Sequence, residues 1–451
     1  MPNLPIEKMF HLQIFKMINT TVFGVLLLLT FGVSAQNNLS LDQAIANTLA
    51  NNYQIRIVQK QAEIAENNNV WGQTSALPRI DLNGAFNYNL TDNSENPTSF
   101  IREEIQSTGL NYGATLNWTL FDGFGMFMSK DQLEALQFLS DQNADVVLEN
   151  SIQAVILAYY KVQLQREKYD LLQEVIGLSE DRIEYERAKK ELGSGSTFDL
   201  LQFENAVLAD QTNAALQELA VKNAERNLNL IMAVSSDDEW VYSTELSVPT
   251  MALNYETLLG QSMSENSQLR SQMFNQILAE KDVQLAKSAM YPVIGFNAGY
   301  NNSASTFEAG DLSGDGKTLS YFGSFTINFN LFNGGKTRRA FQNAQINQEI
   351  ASITLDELKQ NVNIELANSF DQFQAQQKIF MLADKSVSNA QISLDIAKER
   401  LNSGSINSFN YRDTQLAYLQ SALTLLESEY NLLVTHTNLT RLTGGLLKTG
   451  S

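Results

Sequence analysis

The chain of 451 residues contains no cysteine, two histidines (His11 and His436) and six prolines. Without cysteine there is no disulfide framework, no thiolate nucleophile and no sulfur-ligated metal, and two distant histidines do not make a metal site. Cationic side chains are scarce: 31 Lys and Arg against 50 Asp and Glu give a formal charge of −19, the wrong sign for a nucleic-acid surface. No paired nucleophile and histidine, phosphate loop or metal cluster stands out, so an enzyme is not expected and no cofactor is implied. His436, in LLVTHTNLTRL, reads as a surface or capping residue. After residue 36 no apolar run approaches the roughly 18 residues of a membrane-spanning helix.

The N-terminus holds the one long apolar run. Lys8 and Lys16 precede VFGVLLLLTFGV (Val22 to Val33), and Val33 and Ala35 sit where a signal peptidase reads small residues. Residues 1–35 therefore read as a cleaved signal peptide, and the chain as an exported protein. If the mature chain enters a membrane, it does so as β-barrel strands, the other structure that satisfies its backbone in lipid.

The remainder is one pattern written twice. AKKELGSGS (Ala188–Ser196) returns as AKERLNSGS (Ala397–Ser405), 209 positions later. LSLDQAIANTLANNYQIRI (Leu39–Ile57) answers to LNYETLLGQSMSENSQLRS (Leu253–Ser271), ALPRIDLNGAFNY (Ala76–Tyr88) to MYPVIGFNAGYNN (Met290–Asn302), and LNWTLFDGFG (Leu116–Gly125) to INFNLFNGGK (Ile327–Lys336). A period this long is a duplicated domain rather than a short solenoid repeat. The expected first repeat is 36–233, with a helix from Leu41 to Ala76, strands near 80–91 and 109–121, a long helix 126–192 and a helix 198–232. The second is 254–443, with a helix from Tyr255 to Met290, strands near 292–302 and 320–332, a long helix 337–401 and a helix 409–442. Between them lies an inter-repeat segment, 234–253, and a tail, 444–451, follows.

Leu148, Val155, Val162, Tyr169, Ile176 and Ile183 fall at strict sevens, as do Leu366, Phe373, Phe380, Val387, Leu394 and Leu401. Such spacing keeps one apolar seam facing a partner helix and supercoils it to the left. Ser40 with Gln43 makes a capping box at the first helix. The four strand segments alternate apolar with uncharged polar residues, as in Ile80, Leu82, Phe86, Tyr88 and Leu90 against Asp81, Asn83, Asn87 and Asn89. That is the pattern of a strand between lipid and water, and Tyr88, Trp118, Phe121, Tyr300 and Phe332 suit the interfacial girdles. Thr91–Thr108 and Ser303–Thr318 read as external loops. Four strands do not close a barrel, because small barrels need about eight. Either these are not membrane strands, or several chains share one barrel, a dimer with eight strands or a trimer with twelve.

In this order, twice, behind a signal peptide, these motifs resemble the TolC-like outer-membrane efflux proteins. The resemblance covers nearly the whole mature chain. It implies a fold of mixed α and transmembrane β structure: a long α-helical coiled-coil barrel joined to a twelve-stranded β-barrel shared by a homotrimer, with two structural repeats per chain. It implies a place in the outer membrane with a large periplasmic portion, and the role of exit duct in an efflux pump or type I secretion system. The partners would be a periplasmic adaptor (membrane fusion) protein, an inner-membrane transporter and outer-membrane lipid, with no nucleic acid.

In the resembling family the two Gly-containing helix turns form the periplasmic tip and meet the adaptor. Here they are Gly193, Ser194, Gly195 and Ser196, and Ser403, Gly404 and Ser405, with serine where the family has apolar residues beside the glycine. The acidic pore constriction of the family maps to Asp199, Asn410 and Asp413. One rival reading is a soluble periplasmic coiled-coil tether, which leaves the four alternating segments without a purpose. A passive porin is another, but a single-chain porin has many more strands.

Overall fold

The computed structural model describes residues 38–247 and 253–449; the signal-peptide segment lies outside them, as does part of the inter-repeat segment. Everything below concerns the compact unit that begins at Leu39. The first half runs β1 (Asn38–Leu39), α1 (Leu41–Asn51), α2 (Tyr53–Asn68), β2 (Arg79–Asp92), β3 (Glu104–Phe121), α3 (Gly125–Glu191) and α4 (Thr197–Met232). After β4 (Val241–Tyr242) come α5 (Tyr255–Glu265), α6 (Ser267–Ser288), β5 (Val293–Ala309), β6 (Leu312–Asn328), α7 (Lys336–Asn402), α8 (Ser408–Leu442) and α9 (Leu446–Thr449).

α3 and α7 have 67 residues each, about 100 Å at ~1.5 Å per residue. α3 packs along α4, α7 along α8, and α3 along α8. The seams at sevens are buried where these helices meet: Val155, Val162 and Ile176 on α3, and Leu366, Phe373, Leu394 and Leu401 on α7. Fully burying such a side chain contributes about 1.5–3 kcal/mol, so these rows supply much of what holds the helices together. Residues after α4 pack on the midpoint of α3, where the Tyr159 hydroxyl donates to the Leu39 carbonyl (2.8 Å) and accepts from the Thr244 amide (3.1 Å).

The two shorter helical stretches are not single helices. Each is broken by an asparagine in extended conformation, Asn52 (ψ 130°) and Asn266 (ψ 122°). Asn52 Oδ1 caps α2 by accepting from the Gln54 and Ile55 amides (2.9 and 3.3 Å), while its Nδ2 donates to the Ile231 carbonyl at the end of α4 (2.8 Å). Asn266 Oδ1 accepts from the Leu269 amide (3.1 Å), and Nδ2 donates to the Leu442 carbonyl at the end of α8 (3.1 Å). One side chain thus satisfies orphan groups of two helix ends. α2 also stops at Asn68, short of the expected Ala76, and a single 3₁₀ turn over Trp71–Gln73 leads to β2.

β2, β3, β5 and β6 form one antiparallel sheet in that order. Ile80, Leu116, Ala298 and Gly323 are level in the ladder, so the apolar sets of all four strands share a face. On that face Ile80, Leu82, Phe86, Tyr321, Phe325 and Ile327 are exposed. Leu90 is level with Gln106, Glu308 and Ser313, yet the apolar row of β6 begins only at Leu319. The band is therefore slanted across the strands, as it must be when strands tilt through a bilayer.

The second hairpin corrects the loop expected at Ser303–Thr318. Ser303–Ala309 pairs with Leu312–Thr318, and only Gly310 (φ 57°) and Asp311 turn the chain. Glycine supplies the positive φ that a two-residue hairpin loop requires. Apolar alternation stops near Tyr300 and Tyr321, but the hydrogen-bond ladder continues regardless. At the other end β6 stops at Asn328 rather than 332, since its partner begins at Val293, after Pro292.

Replacing Asn266, which is 2 % exposed, by alanine removes both the cap and the bond to Leu442 and should cost about 2 kcal/mol; Asn52→Ala, half-buried, should cost about 1 kcal/mol. Thermal unfolding of the detergent-purified variants measures both.

Candidate functional site

The two turns Gly193–Ser196 and Ser403–Ser405 close the long helices in the same way. At the end of α3 the Gly193 amide donates to the Lys190 carbonyl (3.0 Å) and the Ser194 amide to the Lys189 carbonyl (2.9 Å). At the end of α7 the Gly404 amide donates to the Leu401 carbonyl (2.9 Å) and the Ser405 amide to the Arg400 carbonyl (2.8 Å). Both are Schellman motifs, and Gly193 (φ 78°) and Gly404 (φ 72°) hold the left-handed position. Ser196 caps α4 by accepting from the Asp199 amide (3.0 Å), and Asn407 caps α8 by accepting from the Asn410 amide (2.9 Å).

This geometry corrects the register of the repeated phrase. The sequence match sets Gly195 against Gly404, but the left-handed residues are Gly193 and Gly404, 211 positions apart. The long helices keep that interval, since α3 starts at Gly125 and α7 at Lys336. Gly195 therefore corresponds to Ile406 and Ser196 to Asn407. The serine-rich phrase hides an apolar residue that sequence reasoning missed: Leu192, immediately before the left-handed glycine, is 84 % exposed. Phe198 is exposed beside it.

Asp199 and Asn410 occupy the same third position of their helices. A carboxylate there is favoured by the helix dipole alone, which is sufficient reason for Asp199. Asn410 and Asp413 lie one turn apart on an exposed face of α8. Position 202, the counterpart of Asp413, is Gln202. The structure joins the two helix starts through the Phe203 and Phe409 rings, whose centroids are 5.3 Å apart.

Above the turns, a row of polar contacts fastens the second helix pair to the first. Arg182 and Glu186 on α3 form a buried ion pair, and the Ser408 hydroxyl of α8 donates to the same Glu186 oxygen. The Arg182 guanidinium lies over the rings of Tyr185 (4.5 Å) and Phe203 (5.5 Å), and burial pushes its pKa below the ordinary arginine value against the pull of Glu186. Further along, Arg412 of α8 donates to Asp210 of α4 (2.6 Å) and to the Ser179 hydroxyl of α3 (2.9 Å). Lys168 of α3 then pairs with Glu427 of α8 (2.5 Å), and the Tyr430 hydroxyl donates to the Leu157 carbonyl (3.3 Å). Periodicity did not disclose these residues, because they interrupt the apolar rows.

The same seam carries two destabilised carboxylates. Burial, then Asp170 and Glu245, hold Glu167 above the usual carboxylate range; burial, then Glu167 itself, raise Glu429. Among the described residues no group of three His, Cys, Asp or Glu side chains could hold a metal ion. The described helices include none long and apolar enough to cross a membrane.

Residues 44–234 and 258–445 match the outer membrane efflux protein family. The outer membrane efflux protein BepC of Brucella suis is 22 % identical over 437 residues, covering 96 % of this chain and 91 % of its own. The outer membrane protein TolC of Vibrio cholerae is 22 % identical over 316 residues, 68 % of each chain. Among solved structures, the CmeC outer membrane channel of Campylobacter jejuni superposes with a TM-score of 0.75 at 15 % identity, over 92 % of this chain and 90 % of that one. The open MtrE outer membrane channel of Neisseria gonorrhoeae gives 0.72 at 16 % identity, over 92 % and 94 %.

Two outcomes are expected. Arg412→Ala leaves Asp210 buried without its cation and should destabilise the protein by roughly 3 kcal/mol, with much of that recovered when Asp210→Ala is added; chemical denaturation of the four proteins in this cycle checks it. Because the folded-state values of Glu167 and Glu429 are raised, the folded protein takes up protons before the unfolded chain does. Stability then rises as pH falls from neutrality through those values, and the gain is complete near the unfolded carboxylate value of about 4.3. Glu167→Gln with Glu429→Gln should raise the Tm at about pH 7.5 and flatten its pH dependence.

Proposed function

Because the chain belongs to the outer membrane efflux protein family, we propose that it is the exit duct through which a tripartite pump or type I secretion system passes its substrate from the periplasm to the exterior. The observation that carries this reading is the four-stranded sheet with one exposed apolar face, joined to helices about 100 Å long. A soluble tether has no use for Leu82, Phe86, Tyr321 or Phe325 on a sheet surface.

The assembly we propose is a homotrimer. Each copy supplies four strands to a twelve-stranded barrel and two repeats, 36–233 and 254–443, to a ring of helices. The free edges of β2 and β6 support shared closure, since an open edge in lipid leaves its backbone groups unsatisfied. The unpartnered flanks support it too: Leu201, Leu208, Leu216 and Leu219 of α4, and Ile379, Leu382, Ile392 and Ile396 of α7, are exposed in the single chain.

At the periplasmic end, Gly193–Ser196 and Ser403–Ser405 would meet the hairpin of a periplasmic adaptor, with Leu192 as an added apolar contact. The adaptor would link the duct to an inner-membrane transporter. Asn410 and Asp413, with Asp199 in the first repeat, would face the narrowest part of the lumen. Substrate passes without chemistry; selectivity belongs to the transporter.

The test is the native mass of the protein extracted from outer membranes, together with photo-crosslinking from single cysteines at Ser194 and Ser403 in this cysteine-free chain. A trimer whose probes capture a periplasmic adaptor is expected. A protein that fractionates with the soluble periplasm, or a membrane monomer, would sink the reading.

A further inference from the structure

On the rungs of the sheet from Thr119 up to Asn111, the polar face carries a single aromatic ring, that of Phe322. Strand alternation puts Phe322, Ser324 and Thr326 on the side opposite Tyr321, Phe325 and Ile327. Phe322 is level with Gly299 and Thr115, and its ring lies over the glycine: a β-carbon on Gly299 would sit 2.6 Å from Phe322 Cε1 and Cζ. Seated there, Phe322 is still 47 % exposed.

The wall around the ring is neutral, in a chain of formal charge −19. On the same rungs the only charged side chains are Arg79 and Asp81, and they offset one another. Arg79 Nε donates to Asp81 Oδ2 (2.9 Å), which also accepts from Asn117 Nδ2 (3.4 Å). Apart from Phe322 and Ala85, the other residues of this face are asparagines, threonines, serines and glycines. Toward the helices, Arg79, Asn117, Asn297 and Ser324 share the next rung below the ring, and Thr119, Gly295 and Thr326 the one after. Arg79, Asn117, Thr119, Asn297 and Thr326 line an open cavity of about 560 Å³, whose other wall is the linker 72–78. The Trp118 indole holds that linker in place by donating to the Ala76 carbonyl (3.0 Å). The volume falls within the ~300–1,000 Å³ of small-molecule pockets.

We propose that this cavity and the Phe322 ring bind uncharged polyhydroxylated molecules, saccharides or polyols, inside the duct. The proposal rests on the duct reading above, which turns the polar face to the lumen, and it names a class of cargo that the wall would hold. A sugar ring has a face of C–H groups, which buries against an aromatic ring, and a rim of hydroxyls, each donor and acceptor at once. Asparagine amides likewise offer both donors and acceptors, and the Arg79–Asp81 pair sets N–H donors beside a carboxylate acceptor. A charged ligand would lose its hydration against a wall with no net charge to receive it. A wholly apolar one would cover the amides and leave them unpaired. Selection stays with the transporter; the wall supplies transient footing where helices give way to strands.

The experiment is calorimetric titration of maltohexaose into the native oligomer, purified from outer membranes in a detergent without a sugar headgroup. The oligosaccharide should bind saturably, while poly(ethylene glycol) of similar size should not. Phe322→Ala should weaken binding about tenfold, the loss of one aromatic contact. Phe322→Trp should preserve it, and Asn117→Ala with Asn297→Ala should weaken it as well. Phe325→Ala, which removes a ring from the apolar face of the same strand, should bind like the unaltered protein. A native trimer that takes up no maltohexaose would overturn the site and leave the duct standing. Equal binding by Phe322→Ala and the unaltered protein, or binding lost with Phe325→Ala instead, would overturn it as well. So would equal uptake of poly(ethylene glycol). A monomeric native mass would remove the shared barrel, and with it the lumen in which the site lies.

Discussion

Backbone groups in lipid must find partners, and this chain alone provides too few. The sheet of β2, β3, β5 and β6 has an apolar face along its whole width and two edges that meet no further strand among the described residues. Each unsatisfied amide or carbonyl in hydrocarbon costs several kcal/mol, so a four-stranded sheet in a membrane is viable only as one stave of a closed wall. The need for closure passes from strands to helices, because each strand pair runs through a short turn into α3 or α7. A wall closed in the membrane imposes a ring below it.

The proposed ring would account for the composition of the helices. Their buried rows are narrow, and further apolar side chains such as Leu208, Leu216, Leu382 and Ile392 lie exposed among polar ones on the remaining faces. The region where α3, α4 and α8 meet carries buried charge among its apolar contacts. Arg182, Glu186 and Asp210 are buried there and paired, with the half-buried Arg412 and with Ser408 reaching across from the second half to the first. An interface held by paired charges has a defined register and a large penalty for partial separation. Glu167 and Glu429, which repel one another across the same seam, work against it.

Much of this architecture was legible in the sequence because lipid and helix packing write strong periods. The alternation from Ile80 to Leu90 marked a strand, and the sevens from Leu148 to Ile183 marked a buried seam. The losses fell where no period is imposed. Ser303–Ala309 and Leu312–Thr318 form strand without an apolar alternation, held by the hydrogen-bond ladder alone. Asn52 and Asn266 end helices without a proline or glycine, and only their matching positions in the two halves hinted at it. At the tip, the repeated phrase misled by two residues: serine and glycine satisfy a turn in more than one register, and the left-handed φ rather than the spelling decides which glycine does so. Leu192 and Ile406 were missed for that reason. Asp199, Asn410 and Asp413 were singled out by resemblance alone, and the fold puts the last two on one exposed face.

The measurement closest to the central claim is an end-on image of the detergent-purified particle by electron microscopy. The account predicts a closed ring with threefold symmetry and a hollow centre, formed by helices that each copy leaves open at both flanks. A particle of one chain's width, or an arc that never closes, would contradict it.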